Sequence, residues 1–319
     1  MSEPLLAVKD LSVKFFTQRG VLHAVDRISF EVGKGESVGL VGESGSGKSV
    51  TALALLRLVT IPGRIVGGEI QLRGENLLKL NESELRRVRR DEIAMIFQDA
   101  GNFMNPIVTV GRQIEDGLPA NMSAEDRHST ACQALRAAKV ADPERIARSY
   151  PFQLSGGMQQ RAVIAASVAR KPSLILADEP TTALDATVQF EILKLLADLQ
   201  VSSGTALLLI SHDLAVIASV CRRVYVMYAG QIVETGETKD IYRKPAHPYT
   251  QALLGAILDP FEETETLSMV PGTIPDLTAP PTGCRFNPRC PKVFDKCREQ
   301  EPPMILIGGP QAAKCWLYA

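Results

Sequence analysis

The sequence is poor in aromatic side chains, 5% with a single tryptophan, and no apolar run reaches the roughly 18 residues needed to cross a bilayer. The most apolar stretch of its second half, "TALLLISHDLAVIASV", is broken by Ser211, His212 and Asp213, so a membrane-spanning helix is excluded there. An excess of either charge is also missing: 35 Lys and Arg stand against 36 Asp and Glu, for a net charge of −1. No basic field exists to attract nucleic acid. The opening "MSEPLLAVKD" lacks the charged and apolar regions of a secretory signal, and a cytoplasmic location is the expectation. Internal repeats, low-complexity tracts and heptads are absent too. Cysteine is scarce until the end, where Cys284, Cys290, Cys297 and Cys315, four of the six, fall in the last 40 residues. In a reducing compartment such a cluster points to metal or cluster ligation before disulfides.

What is present is an ordinary globular composition, 45% apolar and 22% charged over 319 residues, enough for a full core. "RISFEV" and "GEIQLRG" alternate apolar with polar residues and predict half-solvated antiparallel strands. "SVGLVG", "IAMIFQ", "SLILAD" and "ALLLISH" are nearly continuous apolar runs, the pattern of strands buried on both faces of a mainly parallel sheet. The fold class is therefore α/β. Between them "AEDRHSTACQALRAAKV" lines up Ala131, Leu135 and Ala138 on one helical face, predicting a helical insert over about 99–160. Composition shifts near residue 259, after which half of the 20 prolines fall. A domain over 1–258 and an extension over 259–319 are expected. Prolines exclude helix and central strand from "PGTIPDLTAPPTGCRFNPRCPKVFDKC", so something other than a hydrophobic core should fasten it.

"GESGSGKS", residues 42–49, matches G-x-x-x-x-G-K-[ST] and sits between a buried run and the helix-forming "SVTALALLRLV", the strand–loop–helix setting of a phosphate-binding loop. Gly42, Ser44, Gly45, Ser46, Gly47, Lys48, Ser49 and Val50 would wrap a polyphosphate with backbone amides and a helix N-terminus. Lys48 would reach the β/γ-phosphates and the Ser49 hydroxyl would ligate Mg²⁺. "LILADEP" ends a buried strand in two carboxylates: Asp178 for the magnesium shell, Glu179 as the general base on water. His212, after another buried run, would contact the γ-phosphate, and Gln98, ending "IAMIFQ", would orient water or complete the Mg²⁺ shell. A second grip, "LSGGMQQR" at 154–161, has no nucleotide left to hold in its own chain. Ser155 there would cap the helix that follows, while the glycine pair points to a further ligand.

Taken in order, "GESGSGKS", the glutamine of "IFQD", "LSGGMQQR", "LILADEP", "ALD" at 183–185 and "SHD" at 211–213 resemble the ATP-binding-cassette ATPase family over roughly residues 5–258. The resemblance implies a P-loop NTPase core with an N-terminal antiparallel β subdomain, a helical insert and head-to-tail dimers. In such a dimer Ser155, Gly156, Gly157 and Gln159 would contact a partner's ATP, Asp185 would lie at the seam, and Phe15, with Phe16 as the alternative, would stack on adenine.

"SYPFQLSGG", "DEPTTALD", "VMYAGQIVETG", "HPYTQALL" and "NPRC" are similar to the ATPase subunits of bacterial dipeptide and oligopeptide importers. That implies ATP hydrolysis at the cytoplasmic face of the inner membrane by a homodimer or a pair of related cassettes. The further partners implied are two integral membrane permeases and, indirectly, an extracytoplasmic binding protein. Nickel, sugars or peptide-like compounds remain alternative cargoes, and a soluble non-transport ATPase of the family is the rival reading. Chemistry alone leaves zinc or an iron–sulfur cluster open for Cys284, Cys290, Cys297 and Cys315, although the spacing has no C-x2-C knuckle. The resemblance implies a [4Fe–4S] cluster. "DAGNFMNP" departs from the importers' usual D-P and L-N-P after Gln98, with Ala100 and Met104 in those places.

Overall fold

A computed structural model describes residues 3–182, 184–255 and 272–319. Along the chain run β1 (Leu6–Thr17), β2 (Gly20–Val32), β3 (Ser37–Val41), α1 (Lys48–Leu55), β4 (Gly63–Leu72), β5 (Glu75–Asn76), α2 (Glu82–Asp91) and β6 (Ile93–Ile96). Next come α3 (Ala100–Phe103), α4 (Val110–Asp116), α5 (Ala124–Ala137), α6 (Pro143–Arg148), α7 (Gly156–Val168), β7 (Leu174–Asp178), α8 (Ala186–Ser203) and β8 (Ala206–Ser211). The remainder is α9 (Leu214–Val220), β9 (Arg223–Tyr228), β10 (Gln231–Glu237), α10 (Thr238–Arg243), α11 (Pro248–Gly255), α12 (Asp295–Glu299), β11 (Ile305–Gly308) and β12 (Gln311–Ala313). These fall into two compact units: one of residues up to 33, 37–79 and from 210 onward, the other of 34–36 and 80–209.

In the first unit β2-β1-β4-β5 form an antiparallel sheet. Ile28, Phe30 and Val32 are buried while Arg27, Ser29 and Glu31 face out, as the alternation predicts. A second run of neighbours, β11-β12-β10-β9-β3, is mixed. β3 and β9 pair in parallel, as expected of buried apolar runs, but β9–β10, β10–β12 and β11–β12 are antiparallel. The turn between β9 and β10 explains the switch: Ala229 and Gly230 both adopt positive φ, 47° and 82°, the conformation of a tight hairpin whose twist matches its strands.

Residues 272–319 belong to this unit, which corrects the expectation for the extension in one respect. Phe286 is fully buried, with its ring 5.1 Å from that of Tyr228 and 5.5 Å from that of Tyr249. β12 lies inside the sheet between β11 and β10 with Ala313 fully buried. Hydrophobic packing does fasten the extension, because one large ring and one short strand beyond the prolines suffice to reach the core. Glu234 of β10 is also buried; it accepts from the amides of Ala246 at 2.7 Å and His247 at 2.9 Å and from Gln311 Nε2 at 2.9 Å. The predicted boundary at 258/259 lies outside the described residues.

In the second unit β6 and β7 pair in parallel and β8 neighbours β7. The face of α5 carrying Ala131 and Leu135 is buried, as is Ala138 just beyond it; enclosing Leu135 alone stabilises by about 2 kcal/mol. α7 runs on from the "LSGGMQQR" segment to Val168, with Ala162, Ile164 and Ala165 buried. Among the described residues no helix is long and apolar enough to cross a membrane.

Candidate functional site

In the first unit the glycine-rich loop joins β3 to α1, and two of its glycines are sterically required. A Cβ on Gly42 would stand 2.0 Å from the Met227 carbonyl oxygen, and one on Gly47, at φ 104°, 2.4 Å from that of Ala24. The loop is thereby held as a shallow cradle whose helix N-terminus offers amides with no intrahelical partner. Lys48 is buried, and its Nζ donates to the carbonyls of Gly42 at 2.7 Å and Glu43 at 3.0 Å. That pose lays the ammonium along the loop, where a polyphosphate's charge would sit. Ser44, Gly45 and Ser49 are exposed, whereas the Ser46 hydroxyl is fully buried without a partner. The Ser46 amide donates to Glu43 O at 3.1 Å, closing a turn of the loop on itself.

His212 is exposed at the end of β8. The next residue, Asp213, caps α9, accepting from the Ala215 amide at 2.7 Å, and its own amide donates to Ser211 Oγ at 3.0 Å. This turn presents the imidazole outward. Phe15 is half-buried against Gly63, and Phe16 is 47% exposed with the Arg64 guanidinium 5.7 Å above its ring.

In the second unit Asp178 ends β7 and is buried, and Glu179 follows with φ 45°. A left-handed non-glycine residue costs about 1 kcal/mol and persists where surroundings impose it. The Glu179 carboxylate is held from two sides, its Oε2 accepting from Gln98 Nε2 at 3.4 Å and from Thr182 Oγ1 at 3.0 Å. Gln98 and Glu179 were expected from the sequence; Thr182 was not, and its only signal was a hydroxyl three positions after the acid.

The "LSGGMQQR" segment opens α7, with one correction. Ser155 occupies the N-cap position, but its hydroxyl makes no capping bond, so the expected cap is missing. The backbone there is the usual extended one of an N-cap, φ −65° and ψ 159°, and Ser155 is exposed. The two glycines also differ. A Cβ on Gly157 would lie 2.8 Å from Val188 Cγ1, so this glycine lets α7 approach α8, whereas the nearest atom to one on Gly156 is 3.6 Å away. Gln159 Nε2 donates to Pro151 O at 2.8 Å, bracing the turn before Ser155. Asp185 caps α8 through the Val188 amide at 3.0 Å. Ser155, Gly156, Gly157, Arg161 and Asp185 line one open cleft of about 360 Å³. Ala183, within "ALD", lies outside the described residues.

No disulfide joins any of the six cysteines, and Cys284, Cys290, Cys297 and Cys315 line a single small pocket. Burial pushes the Cys284 thiol up to about 11 and raises Cys290 and Cys315 as well. The backbone amides of Phe286, Lys292 and Leu317 act in the opposite direction on those three thiols and do not outweigh burial. Among the described residues no three His, Cys, Asp or Glu are grouped so as to hold one metal ion.

Residues 25–182 match the family described as ABC transporter, and residues 233–297 match the oligopeptide/dipeptide transporter C-terminal region. The chain is 44% identical to the dipeptide transport ATP-binding protein DppD of Escherichia coli over 98% of its own length and 96% of that protein. It is 45% identical to DppD of Haemophilus influenzae over 98% and 94%. Among solved structures, the dimeric post-hydrolysis cassette MJ0796 with ADP and phosphate superposes with a TM-score of 0.66 at 29% identity, covering 73% of this chain and 98% of that one.

Proposed function

Because the chain belongs to the ATP-binding-cassette family of transporter ATPases, we propose that it is the ATP-hydrolysing subunit of a bacterial importer for di- or oligopeptides. It works as a dimer with itself or a related cassette, peripheral on the cytoplasmic face of the inner membrane, and drives two separate permease subunits fed by an external binding protein. One observation carries the peptide assignment. Similarity to dipeptide transport ATP-binding proteins runs through 98% of the chain, the cysteine-rich extension included.

The loop 42–49 and α1 bind the phosphates of ATP, with Lys48 across the β/γ-phosphates and Phe15, or alternatively Phe16, on adenine. Ser49, Asp178 and Gln98 are the residues that would hold Mg²⁺, which would supply positive charge against that developing on the phosphates. Glu179 takes the proton of the attacking water. Thr182 and Gln98 hold its carboxylate at 3.0 and 3.4 Å, which fixes the base before substrate arrives, and His212 donates to the γ-phosphate. Ser155, whose hydroxyl is uncommitted to its own helix, and the amides at Gly156 and Gly157 close on ATP held by the partner subunit, with Asp185 at the seam. Gln159 serves by bracing Ser155's loop. ATP joins the two subunits and its hydrolysis releases them, a two-state element biased by the γ-phosphate.

The thiols of Cys284, Cys290, Cys297 and Cys315 would hold an iron–sulfur cluster, which supplies four strong cross-links to a proline-rich segment. That all four cysteines line one small pocket of the extension supports this reading. Uptake of a labelled dipeptide by cells lacking this protein tests the whole reading. Loss of that uptake, restored by the intact chain but not by Glu179→Gln, is expected. Unchanged dipeptide uptake with lost nickel or sugar uptake would overturn the cargo.

A further inference from the structure

Glu43, the second residue of the phosphate loop, is a junction. Its carbonyl accepts from the Ser46 amide at 3.1 Å and from Lys48 Nζ at 3.0 Å. Its own amide donates to Tyr249 Oη at 2.8 Å. Its carboxylate is gripped by Arg289 of the extension through both prongs, Nη1 to Oε2 at 3.0 Å and Nη2 to Oε1 at 3.3 Å. The Arg289 side chain is only 5% exposed and sits over the rings of Tyr228 at 5.6 Å and Phe286 at 5.9 Å, so the guanidinium cannot swing away. A planar fork on a carboxylate fixes orientation as well as distance. One turn of chain earlier, Arg285 binds Asp26 at 2.6 Å and the carbonyl of Ala229, beside Gly230, whose amide donates to Ser46 O at 2.9 Å.

We propose that Arg289 is a positioning residue for ATP: by clamping Glu43 it sets the carbonyl on which Lys48 rests, so the cysteine-rich extension tunes nucleotide affinity. The inference rests on the phosphate-loop reading above and adds to it a dependence on a segment outside the nucleotide-binding motifs. Cys290 follows Arg289 directly in sequence, so whatever orders that cysteine orders the clamp.

The test uses the full-length chain and titrates Mg-ADP and a non-hydrolysable ATP analogue calorimetrically. Arg289→Ala and Glu43→Gln should each weaken binding by about tenfold. The double variant should be no weaker than either, because both break one contact, and Arg289→Lys, lacking the fork, should fall between. In steady state the ATP KM should rise while kcat changes less than about twofold. Should Arg289→Ala fail to fold, Glu43→Gln decides alone, since it leaves the extension's own residues untouched. Variants that bind nucleotide like the parent, or losses that add, overturn the clamp and leave the ATPase reading standing. A parent protein that binds neither nucleotide overturns both.

Discussion

Gln98 Nε2 and Glu179 Oε2 lie 3.4 Å apart, joining the second residue after β6 to the first after β7. Neighbouring parallel strands of equal depth deliver an amide and a carboxylate to the same edge, and Thr182 completes the hold at 3.0 Å.

If Glu179 is the base, Glu179→Gln should reduce ATP turnover by at least ~100-fold with nucleotide affinity within about twofold of the parent. Thr182→Val, which removes one bond to the carboxylate, should lower kcat about fivefold at unchanged KM. Phosphate release and nucleotide titration on the same preparations separate the two effects, and an active Glu179→Gln protein would remove the assignment.

Ser155 and Gly157 should part company under substitution. Ser155→Ala deletes a hydroxyl that makes no capping bond, so its unfolding midpoint should stay within ~0.5 kcal/mol of the parent while ATP-driven dimerisation fails. Gly157→Ala places a methyl 2.8 Å from Val188 Cγ1 and should destabilise by about 1–3 kcal/mol. Adding Val188→Ala should recover most of that stability. Denaturant melts and light scattering with ATP read both outcomes.

Acid should loosen the first unit through Asp26. Burial alone would raise its pKa, but Arg285, Gln231 and Arg27 outweigh it and hold the carboxyl below its usual range. A carboxylate depressed on folding contributes stability that is complete above the unfolded value near ~3.9 and is lost as pH falls through the folded one. Unfolding free energy should therefore drop more steeply below about pH 4 in the parent than in Asp26→Asn. At neutral pH that variant, leaving Arg285 buried without its carboxylate, should be weaker by about 3 kcal/mol. Equal slopes would show that the pair is not linked to folding.

Anaerobic isolation should yield brown protein with iron and acid-labile sulfide, and serine at any one of Cys284, Cys290, Cys297 or Cys315 should lower both contents. Metal analysis decides: colourless protein with stoichiometric zinc would rule the cluster out. The expected loss of colour is independent of ATPase activity.

Much of this molecule could be read from its letters because its decisive parts are local. The loop 42–49, the buried runs that became β3, β6, β7 and β8, and the alternation of β2 each state their conformation within a few residues. What escaped was long-range or shared. Gly157 has the look of a ligand-binding glycine and gives no local sign that it must also let Val188 pack beside it. Ser155 has the residue type of a cap without making the bond. The proline-rich extension advertises its breaks in structure but conceals that Phe286 reaches a ring cluster built by Tyr228 and Tyr249. No local pattern links Glu43 to Arg289, which follows 246 positions later.

That separation bears on how the protein is made. A ribosome releases the phosphate loop 246 positions before Arg289, so the loop's residues wait through that interval without the cation that later grips Glu43. Firm hold on nucleotide would then arrive only once Arg289 has emerged, and a nascent chain short of it would be a poor consumer of cellular ATP.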